Sequence, residues 1–580
     1  MNRRAFLLKN SRALAISAPL VAPAVHQAGA SASLTGDGGE ESISPYANKK
    51  LPAPTITTTT GLAPYSGSWT EAQAAHLLRR TLFGPTRTEI ITAASRGLTQ
   101  VVNDLLTPTA PSSPPLNVAA ADTSVAVGET WVTKPFDQAV EGARRSSLRS
   151  WWMGQLVGQG ISLTEKMTLF WHNRFVVELG DINDARYGYA YTALLRQQAL
   201  GNSKQLIKDV TITPAMLRYL NGNQSTAAAP NENYGRELLE LFTVGKGPLI
   251  APGNYTNYTE DDVKAAARVL TGWRDNTTTL TGYYTASRHD TGTKQFSAAF
   301  GNRIISNGGD QEYKTLIDMI FSQAETARNL CRALYRWFVY YVIDESTEEL
   351  VIQPMATLLI QSNYEVAPVL RALLTSEHFF DAANLGCVIK SPLDFSVTAC
   401  RQMQVAFPPA SSVVAQYGMW DYLNTQTNVQ QQLLGDPPNV AGWPAYYQTP
   451  QFYEMWINAV TLPRRNQFTD VLIGPGFTRN SFKIFIDPIA LTLTLPPAVA
   501  ADPTQLVAEY AKLLLPIALT SNQLDFLKDT LLPGLPDFEW TVEWNAYLAT
   551  PTTAAKKAAV MTKLQAMLRA MMGLAEYHLS

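Results

Sequence analysis

Three polar segments of the chain combine residue types that can carry acid–base chemistry or hold a metal ion. The first contains His172, Asn173 and Arg174 in a run whose other residues are mostly apolar. Burying these groups without partners costs several kcal/mol in total, so we expect them to meet acidic side chains. His172 is therefore a candidate catalytic residue, and Asn173 and Arg174 are candidate substrate-binding residues.

The second segment is a predicted helix rich in acidic residues. Helical spacing puts Glu232, Arg236 and Glu240 in a ladder, in which the arginine can pair with either acid. Asn233 and Glu237 lie on a neighbouring stripe that has no basic residue in register. We therefore expect Glu237 to face a partner outside its own helix and treat it as a catalytic candidate. Asn233 is a substrate-binding candidate beside it.

The third segment is a polar loop that brings His289, Asp290 and Lys294 within six residues. Such a set could orient a substrate, bind a hard cation or transfer a proton, and it could equally form a salt-bridged loop. Asp290 is a further catalytic candidate, and Lys294 is a substrate-binding candidate. Trp443 is one of several loop aromatics that could stack on a sugar ring, although such rings more often fill a helical core.

A divalent metal ion is a possible cofactor for these segments. The candidate ligands are His172, Glu237, Glu240 and His289, which supply imidazole nitrogen and carboxylate oxygen. Glu237 has three possible partners: His172, Arg174 or the metal itself.

Helical periodicity of apolar residues recurs along most of the chain, and strand-like alternation is sparse. The sequence therefore predicts a mainly α fold, a large multi-helix globular domain with long loops and few short strands. One short alternating stretch covers residues 481–486. The longer predicted helices cover residues 143–158, 162–178, 186–208, 231–244, 260–272, 311–342, 348–362, 366–379 and 505–531.

Capping residues support several of these helices. Ser162 with Glu165, and Thr259 with Asp262, have the spacing of a capping box, in which two side chains satisfy exposed amides at the helix start. Asn231 is the expected N-cap of the acidic helix.

Composition narrows the classes of partner. The 580 residues include 46 Lys+Arg and 48 Asp+Glu, with only 3 Cys. This balance argues against a nucleic-acid-binding polycation, and the few cysteines argue against a disulfide scaffold. Beyond the first thirty residues there is no apolar run of eighteen, so we expect no integral membrane segment in the mature chain.

The first thirty residues resemble a twin-arginine export signal. Arg3 and Arg4 precede a weakly apolar stretch, and a run of small residues follows at 28–33. The segment carries four basic residues and no acidic one. We therefore expect residues 1–30 to be a signal peptide and the mature protein to be exported to the periplasm or cell envelope.

A series of ordered motifs resembles the DUF1800 family of exported bacterial proteins of unknown function. The motifs lie at residues 78–86, 165–173, 231–245, 258–263, 270–273, 289–294, 334–338, 390–392, 436–444 and 575–579. The resemblance implies a mostly helical exported protein. After a Ser/Thr/Pro-rich linker or arm at 31–68, it predicts a helical core at 69–470 and a C-terminal helical part of the same unit at 471–580. Arg174 departs from the family pattern, which commonly has a second histidine there, and a guanidinium suits a carboxylate or another anion.

Three functions are consistent with these observations. The first is binding or assembly of an envelope or surface component, which ranks first because no catalytic signature is specific. The second is an envelope hydrolase or lyase acting on a glycan or cell-wall polymer, in which Glu237 works with His172 and with Asp290. The third is a metalloprotein with a His/Glu site.

Overall fold

Helices fill most of the chain that the structure describes. The computed structural model describes residues 60–110 and 113–580. These residues belong to one unit, Ile56–Ser580. The predicted export signal at 1–30 and most of the predicted linker lie outside the described residues.

The mainly α fold is confirmed, with helices along the whole described chain. In its first half the α-helices are Glu71–Thr81, Arg87–Arg96, Leu98–Leu105, Glu141–Gly158, Thr164–Arg174, Leu179–Ile182, Ala185–Gln197, Ser203–Thr211, Pro214–Tyr219, Glu232–Glu237 and Glu260–Val269. In its second half they are Glu312–Ile320, Ala324–Phe338, Glu345–Thr347, Gln353–Gln361, Val366–Leu374, Pro392–Gln402, Val413–Val429, Thr461–Ile473, Pro488–Thr492, Pro497–Ala501, Pro503–Leu514, Ser521–Leu531, Asp537–Ala549 and Ala554–Met572.

The strands form short antiparallel pairs and no larger sheet within the described residues. The last pair coincides with the alternating stretch predicted at 481–486. The pairs are Leu249–Ala251 with Asn254–Tyr255, Trp273–Asn276 with Thr281–Tyr284, Lys294–Gln295 with Ile304–Ile305, and Phe477–Arg479 with Phe482–Ile484.

Some predicted helices are each two helices in the structure. The predicted helix at 505–531 ends at Leu514, just before Pro516, and resumes with Thr520 as the N-cap of a full capping box. The one at 186–208 divides at Gly201, after which Asn202 caps the next helix. Apolar periodicity continues across both breaks, which is why the spacing alone did not show them.

The predicted caps are partly confirmed. Thr259 and Asp262 form the full capping box, and Asn231 accepts a hydrogen bond from the N–H of Asn233. The box predicted at Ser162 is wrong, because its helix begins at Thr164 and Glu165 instead accepts a hydrogen bond from Arg196 at 2.7 Å.

The buried apolar side chains form one contiguous core that runs from Ala74 to Tyr577. It therefore includes side chains from both 69–470 and 471–580. Glu141–Gly158 packs along Val413–Val429. Gly154 permits this approach, since a Cβ there would lie 2.9 Å from the Trp420 ring.

The end of the predicted linker packs against the helical body. The N–H of Tyr65 donates to the carbonyl of Thr375 at 2.8 Å, and the Tyr65 ring lies 4.5 Å from that of Phe380. In the described stretches of the chain, each helix is too short or too polar to span a bilayer.

Asp262 provides a test of this framework. Its buried carboxylate accepts hydrogen bonds from Thr259 and from the N–H and hydroxyl of Ser297, the last two both at 2.7 Å. Asp262→Ala should lower the free energy of unfolding by about 2–3 kcal/mol, because buried donors lose a charged acceptor.

The neighbouring Asp261 is the matched control. Its side chain is 87% exposed and pairs only with Lys264, so Asp261→Ala should change stability by less than about 0.5 kcal/mol. Urea unfolding of both variants measures the difference, and equal losses would contradict the role given to Asp262.

Candidate functional site

His172 is fully buried among aromatic rings in the helix Thr164–Arg174. The rings of Trp152 and Trp443 lie 5.1 Å and 6.4 Å from the imidazole. Neither ring nitrogen has a side-chain hydrogen-bonding partner, and the backbone of Val177 is close enough to act on the imidazole. Burial lowers the pKa of His172 to about 4, and the charge of Asp436 offsets this only in part. The expectation of an acidic hydrogen-bonding partner is therefore wrong, because burial keeps this imidazole neutral and it packs as a ring.

Asn173 joins two segments of the chain. Its Oδ1 accepts a hydrogen bond from the N–H of Trp443 at 3.0 Å. Gly442 has a φ of +90°, and a Cβ there would lie 2.4 Å from that same oxygen, so this contact requires glycine. Trp443 itself is buried, which places it in the core instead of on an open sugar-binding loop.

Arg174 is anchored by a backbone group. Its Nε donates to the carbonyl of Phe242 at 3.2 Å, and its Nη2 lacks a partner. Burial lowers its pKa to about 10. The contact with Phe242 ties Arg174 to the end of the acidic segment through a backbone carbonyl.

Glu237 lies in an acidic neighbourhood near Tyr219. The Tyr219 hydroxyl donates to Glu178 at 2.7 Å. Burial raises the pKa of Tyr219, and the charges of Glu178, Asp181 and Glu237 add to this effect. Burial also raises the pKa of Glu178, with smaller contributions from nearby carboxylates. Asn233, the predicted neighbour of Glu237, is exposed.

The predicted acidic ladder forms only in part. Arg236 pairs with Glu232 at 3.2 Å, and it pairs more closely with Glu260 at 2.7 Å. Glu240 instead pairs with Lys246 at 2.6 Å. A π-helical turn at Leu238–Phe242 explains the change, because its wider turn takes Glu240 out of the i+4 register with Arg236.

The polar loop of the third segment is a buried ion-pair network. His289 Nε2 lies 2.8 Å from Glu312, and Lys294 Nζ lies 2.5 Å from the other oxygen of that carboxylate. Asp290 pairs with Arg268 at 2.7 Å. Sequence reasoning missed Glu312, which is the centre of the network.

The predicted site residues thus fall into separate local groups. His172, Asn173 and Trp443 share one group, and His289 with Lys294 belong to another. Across the described residues, no three His, Cys, Asp or Glu side chains are grouped so that they could hold a metal ion.

A different group of polar residues surrounds a cavity of about 40 Å³. We call it the cationic cavity and define it by Arg79, Arg80, Lys166, Arg336 and Asp394, which line it. Its other lining includes the aromatic side chains Trp337, Tyr341, Tyr446, Phe452, Tyr453 and Trp456. Among the described residues that line it, Asp394 has the one carboxylate side chain.

Two of the three arginines of the cavity, Arg79 and Arg80, are fixed by backbone oxygens. Arg80 donates to the carbonyls of Phe338 and Val339, both at 2.9 Å, and to the backbone oxygen and hydroxyl of Ser580 at 3.2 Å and 3.0 Å. Arg79 donates to the carbonyl of Lys512 at 2.6 Å, while its buried Nε has no acceptor. The carbonyls of Phe338, Val339 and Lys512 orient these guanidinium groups without cancelling their charge.

Two further cations lie directly behind the wall. Lys390 precedes the lining residue Ser391, and its Nζ donates to the carbonyl of Tyr577 at 2.7 Å. Arg465 donates to the carbonyl of Lys390 at 2.9 Å, and its Nε and Nη1 have no acceptors. At the wall itself, the ammonium of Lys166 contacts the carboxylate of Asp394.

Burial lowers the pKa of these cations, and nearby negative charge does not restore it. Burial lowers the pKa of Lys390 to about 7, of Arg465 to about 9 and of Arg79 to about 10. Asp394 opposes the effect at Lys390 and at Arg465 without overcoming it. In contrast, the pKa of Arg332 is raised, because this arginine pairs with the carboxylates of Glu325 and Glu348.

Several cations of the cavity lie in the motifs noted in the sequence, although the sequence alone did not show that they come together. Arg79 and Arg80 lie in the motif at 78–86, Lys166 in that at 165–173, and Arg336 in that at 334–338. The signal in the sequence was that each of these motifs contains a basic residue with no acidic residue three or four positions away.

The fold and the cavity define a large, mainly α-helical protein with a buried polycationic site. The chain matches the family model described as "Protein of unknown function (DUF1800)" over residues 76–577. The protein therefore belongs to the DUF1800 family, as its motifs indicate. No curated protein and no solved structure matches it.

The network around Glu312 predicts a structural effect. Glu312→Gln should lower the free energy of unfolding by about 3–5 kcal/mol, because it leaves the fully buried Lys294 without its counter-charge. Adding Lys294→Met should recover part of that loss. Urea unfolding measures both, and a double variant less stable than Glu312→Gln would contradict the pairing.

Lys390 predicts a dependence of stability on pH. Its pKa is about 7 in the folded protein and near 10.4 unfolded, so unfolding takes up a proton between these values and stability rises with pH. The charges of Arg79, Arg465 and Asp394 act on the pKa of Lys390. Lys390 in turn contributes to lowering the pKa of His578.

Between pH 7 and 8.5 the wild type should gain about 1.5 kcal/mol relative to Lys390→Met. Urea unfolding at several pH values in phosphate-free buffer checks this. If the stability of the two proteins changed with pH in parallel, Lys390 would keep its proton in the folded protein, and the prediction would be wrong.

Proposed function

We propose that this protein is exported to the cell envelope and binds an anionic envelope or surface component through the cationic cavity. The excess of buried positive charge carries the proposal. Arg79, Arg80, Lys166 and Arg336 line the cavity, and Asp394 has the one carboxylate side chain among the described residues of its lining. Burying charges without counter-charges is costly, and a bound anion removes that cost.

The sign of the whole protein supports a local site and not a general affinity for polyanions. The chain has a formal net charge of −2, and the predicted signal contains four of its basic residues. A cationic cavity in an acidic protein concentrates positive potential at one point, which favours one anionic group over an extended polyanion.

Export is supported by the N-terminal sequence. Arg3 and Arg4 begin a segment with the composition of a twin-arginine signal. Arg3→Lys with Arg4→Lys should leave the protein in the cytoplasm of the source cells, whereas the wild type should appear in the periplasmic or envelope fraction.

The hydrolase and metalloprotein hypotheses stay predictions without a specific supporting contact. His172 has no side-chain hydrogen-bonding partner, Glu240 pairs with Lys246, and His289 pairs with Glu312. The cavity offers a rigid cationic wall, and its carboxylate Asp394 is already bound to Lys166. That arrangement suits binding of a charged group better than proton transfer.

Co-sedimentation with isolated envelopes tests the binding function. Arg336 lines the cavity and donates to the carbonyl of Tyr341 at 3.3 Å. Arg332 lies one turn earlier on the same helix and is paired with Glu325 and Glu348. The exported wild type and Arg332→Met should sediment with envelopes, and Arg336→Met should do so at least several-fold less.

Circular dichroism and thermal unfolding show whether each variant keeps its fold. Equal sedimentation of Arg336→Met and wild type, or no sedimentation of the wild type, would contradict the proposal.

A further inference from the structure

Resting on the proposed function, we infer that the group received by the cationic cavity is a phosphoryl group with two negative charges. It is either inorganic phosphate or the terminal phosphate monoester of a larger molecule. The inference follows from the size of the cavity, from its charge and from its donors that lack acceptors.

The size of the cavity limits what can enter it. One water position needs roughly 10–15 Å³ of such space, so about 40 Å³ holds about three. Pockets that enclose whole small-molecule ligands are roughly 300–1,000 Å³. The cavity therefore admits one compact oxyanion and excludes a sugar ring, so a larger ligand must place only its charged end inside.

The charge of the site favours a dianion. Arg79, Arg80, Lys166 and Arg336 stand at the wall with Lys390 behind them, opposite the carboxylate of Asp394 and the Ser580 oxygens that accept from Arg80. A carboxylate or a phosphodiester adds one negative charge, whereas a phosphate monoester adds nearly two at neutral pH. Sulfate esters also carry only one.

The donors favour a group with several oxygens. Arg79 Nε, in a residue of the cavity wall, is buried without an acceptor. A carboxylate presents two oxygens and a phosphate monoester presents three terminal ones, and guanidinium groups bind phosphate oxygens in paired geometry. A phosphoryl group that binds Arg79 therefore has more oxygens left for the other cations of the wall than a carboxylate has.

Calorimetric titration at pH 8 tests the ligand class. The probes are inorganic phosphate, glucose 1-phosphate, dimethyl phosphate, sulfate and acetate, each added to the exported wild-type protein. One equivalent of phosphate or of the monoester should bind at least tenfold more tightly than dimethyl phosphate or acetate. Binding of the monoester indicates a terminal phosphate on a larger molecule, and binding of inorganic phosphate alone indicates the free ion.

Variants locate the binding. Arg336→Met should weaken phosphate binding at least tenfold, whereas its control Arg332→Met should bind as the wild type does. Lys390 is mostly neutral at pH 8 in the free protein, so the wild type should take up close to one proton per phosphate. Lys390→Met should take up almost none, as measured in buffers of different ionisation enthalpy.

Several results would overturn the inference: no phosphate binding, tighter binding of acetate or sulfate than of phosphate, or binding unchanged in both Arg336→Met and Lys390→Met. Its failure is distinct from failure of the proposed function. Envelope binding without phosphate binding rejects only the phosphoryl group, and phosphate binding without envelope binding rejects only the envelope role.

Discussion

Several buried cations share the carboxylate of Asp394, and the proposed binding site depends on this shortage of negative charge. Asp394 acts electrostatically on Arg80, Lys166, Lys390 and Arg465, and the pKa of each stays lowered by burial. Asp394, together with the Ser580 oxygens that accept from Arg80, does not offset the effect of burial on these cations. Backbone carbonyls hold the arginines in place, so the fold keeps an arrangement that its own acids do not neutralise.

The other charged groups of the interior show the contrast. Glu312 forms ion pairs with both His289 and Lys294, and Asp122 pairs with the buried Arg144 at 2.7 Å. In these networks each cation has a carboxylate close by, as buried charges require. Their role is to stabilise the fold, whereas the cationic cavity has donors left over for a ligand.

The sequence predicted the mainly α architecture and the Thr259 capping box, because both depend on local spacing. It also predicted that His172 is buried, although it assigned the imidazole an acidic partner that the aromatic surroundings do not provide. Of the two acids predicted as alternatives for Arg236, Glu232 pairs with it and Glu240 does not, because of a π-helical turn that apolar periodicity does not reveal. The cavity was beyond sequence reasoning because Arg79 and Asp394 are brought together only by the tertiary fold.

The most direct measurement is a crystal structure of the protein grown with tungstate, a heavy tetrahedral analogue of phosphate. The account predicts an anomalous scattering peak in the cavity, within hydrogen-bonding distance of Arg79 and of Lys166. A cavity that holds only water at a tungstate concentration that saturates other sites would contradict it.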